Sequence, residues 1–95
     1  MLKIFAVRDV KAEAYGALIC VMTKGLASRA FVDACSDSRS PMAQYPSDYS
    51  LYELGEFDPN SGAVSGHKLP VYIMSATEAL ASVPKVVTPS PEVVS

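Results

Sequence analysis

Apolar and polar positions alternate from the first residues of the chain. Leu2, Ile4 and Ala6 share one side of an extended segment, and Lys3, Phe5 and Val7 share the other. Residues 2–8 therefore read as a strand with both faces partly apolar, internal to a sheet. Residues 9–16 are polar, lack a clear period and close on Gly16, which predicts a loop or a single helical turn. The apolar run over 17–22 predicts a second strand. Ala27, Ala30, Phe31 and Ala34 then fall at i, i+3, i+4 and i+7, one apolar stripe of a helix that should stop near Ser36. On its opposite side Arg29 and Asp33 stand one turn apart, spaced to pair.

The stretch from Ser36 to Tyr49 holds Pro41 and Pro46 and no sustained period, and reads as a long loop. Residues 50–57 alternate again, with Gly55 as a bulge position. The Asp58-Pro59-Asn60-Ser61-Gly62 sequence is turn chemistry, so a return strand over 63–68 completes a hairpin. Pro70 restricts Val71 to Met74 to an edge strand. Residues 75–82 predict a short helix capped by Ser75 or Thr77. The fold expected is α+β: a small antiparallel sheet of four or five strands with one main helix packed on it. A single domain spans 1–83, and the proline-punctuated residues 84–95 read as a flexible tail.

Composition narrows the class. In 95 residues, 49% hydrophobic and 19% charged side chains describe one ordinary globular domain with a thin core; small domains of this kind often gain stability by oligomerising, so a homodimer is expected. Cys20 and Cys35 are too few for a disulfide framework and read as reduced, semi-buried thiols. No signal peptide and no membrane span is expected, since no apolar run is long enough for either. The net charge of −2 is unevenly spread. Six of eight basic residues (Lys3, Arg8, Lys11, Lys24, Arg29, Arg39) precede residue 40, and Glu53, Glu56 and Asp58 make the second half acidic.

The chemistry that catalysis needs is missing from this pattern. His67 is the sole histidine and has no cysteine or carboxylate at ligand spacing, so it reads as a surface residue, and no metal site is expected. Cys20 sits in an apolar strand and Cys35 near a helix C-terminus, neither of which favours a thiolate nucleophile. Glu53 and Glu56 fall on opposite sides of a regular strand unless a bulge at Gly55 unites them. No phosphate-binding glycine motif occurs, and no cofactor is expected. The chain is expected to act by binding and not as an enzyme. Lys11, Tyr15, Lys24 and Arg29 interleave cations and an aromatic ring, as single-strand binders do, and Tyr45, Tyr49 and Tyr52 follow. The same spacing also fits half-buried tyrosines among solvated lysines.

Four segments together carry a resemblance. KIF at 3–5, DVKAEAY at 9–15, A-x-R-x-F at 27–31 and DY-x-LYELGEFD at 48–58 stand in the order found in the small nonstructural protein of gokushoviruses. These are single-stranded DNA phages of the Microviridae. The chain resembles that family over residues 2–62. The resemblance implies a nonstructural DNA-binding protein of the host bacterial cytoplasm, concerned with the switch toward single-stranded genome synthesis. Lys11, Tyr15 and Arg29 lie on the matched motifs and become the expected DNA contacts, with Lys24 and Arg8 added on charge. The family often carries a proline soon after the KAEAY tyrosine, where this chain has Gly16-Ala17-Leu18, and residues beyond Pro70 fall outside the motifs. The competing expectation is a module that docks a viral or host protein through the acidic hairpin and exposed tyrosines.

Overall fold

The central strand of the sheet is β1 (Leu2–Asp9), as its two apolar sides require. A computed structural model describes residues 1–82, so the tail expected over 84–95 lies outside the described residues. One long edge of β1 pairs with β4 (Tyr49–Phe57), which pairs in turn with β5 (Val64–Ser75). The other edge is shared: β2 (Ala14–Tyr15) pairs with the Arg8–Asp9 end and β3 (Ile19–Val21) with Lys3 to Phe5. Every pairing is antiparallel, giving a five-stranded sheet. The α+β fold is as the periodicity predicts.

Residues 9–16, expected as a loop, instead form a tight hairpin. The Asp9 carboxylate accepts from the backbone N–H groups of Lys11 and Ala12, at 3.0 and 3.3 Å, and Glu13 takes a left-handed φ of 58° to turn the chain. An Asp that closes its own turn needs no apolar period, so the periodicity is silent there. The second strand is also shorter than its apolar run, because Leu18 and Met22 lie exposed on either side of β3.

Helix α1 (Lys24–Ser36) starts where Thr23 Oγ1 accepts from the Leu26 N–H at 3.1 Å. Its buried stripe is Ala27, Phe31 and Cys35, shifted from the expected one: Ala30 is exposed and Cys35 is fully enclosed. Arg29 and Asp33 are both exposed and are not paired with each other. The long loop contains α2 (Pro41–Gln44), with Ser40 as N-cap and proline in its first turn, and a 3-10 turn at Pro46–Asp48. Helix α3 (Ala76–Ala81) opens on a capping box formed by Ser75 and Glu78.

Phe5, Leu51 and Cys35 are the largest fully buried side chains, and Phe31, Ala27, Ala76 and Ala79 complete their cluster. The alanines of α1 and α3 let both helices lie close on the Phe5 face of the sheet. Ile4 and Ala6 are also buried but stand outside that cluster. Neighbours of Phe5 on a strand point the other way, so the sheet has a second face that these helices do not cover.

Candidate nucleic-acid interface

Three strands place a tyrosine each on the second face. Tyr15 on β2 opposes Arg8 on β1, Tyr52 on β4 opposes Ala6, and Tyr72 on β5 opposes Tyr52. The Tyr15 and Tyr52 ring centroids are 5.6 Å apart at 82°, and those of Tyr52 and Tyr72 are 5.7 Å apart at 76°. These edge-to-face contacts join the three rings in one ladder across the sheet. Tyr15 and Tyr52 sit on strands separated by β1. Ala6, the register partner of Tyr52, is fully buried and shares a side of β1 with Arg8, the partner of Tyr15.

The ends of the ladder differ in charge. At one end the Arg8 guanidinium carbon lies 5.3 Å from the centroid of the Tyr15 ring, a cation–π distance. At the other, the Tyr72 hydroxyl donates to Glu78 Oε1, which also accepts from the Ser75 N–H at 2.9 Å. The hydrogen bond from Tyr72 holds the Glu78 carboxyl below its ordinary range, and the same bond raises the phenol. Tyr15 keeps 36% of its surface exposed and Tyr72 keeps 50%, so the outer rings are open to solvent. Face and edge of these rings can take up flat, apolar, partly polar groups, with a cation ready for an anion at one end.

A family model described as Phage ORF5 protein matches residues 2–79. The chain belongs to that family. No curated protein and no solved structure matches it. The match takes in β5 and most of α3, which lie beyond the motifs recognised at 2–62.

Of the residues that sequence singled out in this phage protein, Arg8 and Tyr15 are brought together on the ladder. Lys11 stands instead at the tip of the β1–β2 hairpin, beside a cleft lined with Asp9, Tyr45, Asp48 and Tyr49. Val10 N–H donates to Asp48 O at 3.0 Å and ties the hairpin tip to the 3-10 turn. Burial and then the Asp9 carboxylate push the Tyr49 phenol above its ordinary range. Lys24 and Arg29 ride exposed on α1, whose buried stripe packs on the Phe5 side, away from the ladder of Tyr15, Tyr52 and Tyr72.

Tyr72 and Ala6 were not singled out. A strand tyrosine near a proline carries no local mark of function, and only the cross-strand register reveals it. His67 is not the isolated surface residue expected: its Nε2 lies 2.7 Å from Glu53 Oε2, which Lys3 Nζ approaches at 4.0 Å. Among the described residues no cluster of three or more His, Cys, Asp or Glu side chains could hold a metal ion. No helix among them is long and apolar enough to cross a membrane.

Proposed function

We propose that this phage protein binds single-stranded DNA across the open face of its sheet, with bases against Tyr15, Tyr52 and Tyr72 and a phosphate at Arg8. The observation that carries the reading is the continuous ladder of three rings with a guanidinium at one end. Every base has a π-face, so aromatic platforms hold single strands with little regard to sequence, while a duplex keeps its faces stacked away. Exposed sheet faces carrying aromatics serve this purpose in other single-strand binders. The resemblance to the gokushovirus nonstructural protein supports the same ligand and adds a setting, the infected bacterial cytoplasm. A protein that covers displaced single strands there would favour single-stranded genome synthesis.

The test is a fluorescence-anisotropy titration with a labelled 12-nucleotide oligomer at low and moderate salt. Tyr52→Ala or Tyr72→Ala should weaken binding about fivefold or more, since one stacked base contributes roughly 1–3 kcal/mol. Failure of the unaltered protein to bind below about 100 µM at low salt sinks the proposal, because even nonspecific phosphate contact registers there.

A second reading draws on β5, the outer strand of the sheet among the described residues, where Val64 and Leu69 are 67% and 74% exposed. An exposed strand edge can accept a strand from a viral or host protein or from a second copy of this chain. It predicts a defined oligomer or complex by light scattering and no salt-dependent affinity for DNA.

A further inference from the structure

Stacking alone does not distinguish one base from another, so any preference must come from a polar group at the rim of the rings. Among the described residues, one hydrogen bond joins a ladder tyrosine to a charged side chain: that from Tyr72 to Glu78. Glu78 Oε1 is held by both the Tyr72 hydroxyl and the Ser75 N–H, which fixes the carboxylate beside the ring edge. Both of these bonds fall on Oε1; the Ser75 hydroxyl also favours the charged carboxylate, and the side chain is exposed, which leaves Oε2 facing solvent with lone pairs to spare. An acceptor with unused lone pairs and a fixed position therefore stands where the edge of a base stacked on Tyr72 would come.

We infer that the Tyr72 end of the ladder prefers bases that carry an exocyclic amino group, with Glu78 as the acceptor. This rests on the single-stranded DNA reading above and assigns its polarity across the ladder. A carboxylate repels phosphate, so the backbone runs toward Arg8 and a base edge, not a phosphate, faces Glu78. The N4 amino group of cytosine donates readily to a carboxylate. Thymine offers only an N3–H flanked by two carbonyl oxygens, which the carboxylate repels. Glu78 is held ionised by its bond from Tyr72, so the acceptor is present at neutral pH.

The experiment compares dC12 and dT12, pyrimidines of nearly equal size, by anisotropy at one salt concentration and neutral pH. The unaltered chain should bind dC12 about fivefold more tightly, the low end for one base contact. Glu78→Gln retains a residue suited to the capping box, so the helix stays capped, and its amide can pair with either base. The variant should bring the two affinities together. Equal affinity of the unaltered protein for both oligomers, with binding still lost in Tyr72→Ala, overturns the inference and leaves the DNA reading standing. A preference for dC12 that survives Glu78→Gln overturns it too. Binding of neither oligomer overturns the DNA reading itself.

Discussion

A Cβ built on Gly55 would lie 2.1 Å from the backbone oxygen of Ser65 and 2.9 Å from the Gly66 Cα. Both are backbone atoms of the paired strand, so β5 cannot yield without breaking its pairing. Gly55→Ala should therefore cost about 3 kcal/mol or more in urea unfolding, among the larger single-residue effects. A loss under about 1 kcal/mol would mean that β5 does not approach so closely. The two thiols make a second contrast at this scale. Cys20 is exposed, whereas Cys35 is fully enclosed and burial pushes its thiol up to about 11. A disulfide-exchange reagent at pH 8 should titrate one thiol quickly and the other only on unfolding. The raised value favours the neutral thiol in the folded state. Its stabilisation is whole below the ordinary value of 9.0 and is lost as pH climbs from there toward 11. Heat-denaturation midpoints measured between pH 8 and 11 would follow that fall, and Cys35→Ser should lack it.

At the scale of elements, local chemistry was legible wherever a residue type determines its own backbone. The Asp58–Gly62 turn was readable, and the structure has Asn60 N–H donating to the Asp58 carboxylate at 2.9 Å and Gly62 at φ 78°. Pro70 marked an outer strand, but the return strand expected over 63–68 and the edge strand over 71–74 are one strand, β5, which runs through the proline; Ser75 caps α3. Ser75→Ala should cost about 1 kcal/mol in urea unfolding, a typical N-cap loss, and shift the Tyr72 ring signals, because it removes the Oγ that accepts from the N–H of Glu78 at 3.0 Å, and Glu78 holds the Tyr72 hydroxyl. Unchanged stability and unchanged Tyr72 signals would show that the box does not hold the ring. The ladder itself was not legible, for a geometric reason. The pairs Phe57↔Val64 and Gly55↔Gly66 keep one regular register out from the turn. Continued regularly, that register would set Tyr52 opposite Leu69. The irregularity between Gly66 and Val71 slides β5 along and delivers Tyr72 to Tyr52 instead. No propensity of residues 67–70 announces this, and short α2 had likewise too few residues to show a helical period.

Across the whole molecule, the basic excess of the first half does not gather into one patch. Arg8 lies at the ladder, Lys11 at the hairpin tip, Lys24 and Arg29 on the helical side, and Arg39 is paired with Asp37 at 3.2 Å. Charge along the sequence could thus suggest a nucleic-acid ligand but could not choose a face; the face proposed above rests on aromatic register across three strands. Binding led by stacking should be only mildly sensitive to salt. The slope of log affinity against log salt should fall between about −1 and −2, as one to three neutralised phosphates give. A much steeper slope would point to the scattered cations instead of the rings.

The proposal's central claim is that single-stranded DNA binds on the tyrosine face of the sheet, and an amide and tyrosine-ring NMR titration of the full chain with dC12 addresses it directly. The account predicts that the largest shifts fall on Arg8, Tyr15, Tyr52 and Tyr72, with the exposed side of α1 unmoved. Shifts concentrated on Lys24 and Arg29, with the tyrosine rings unchanged, would contradict it.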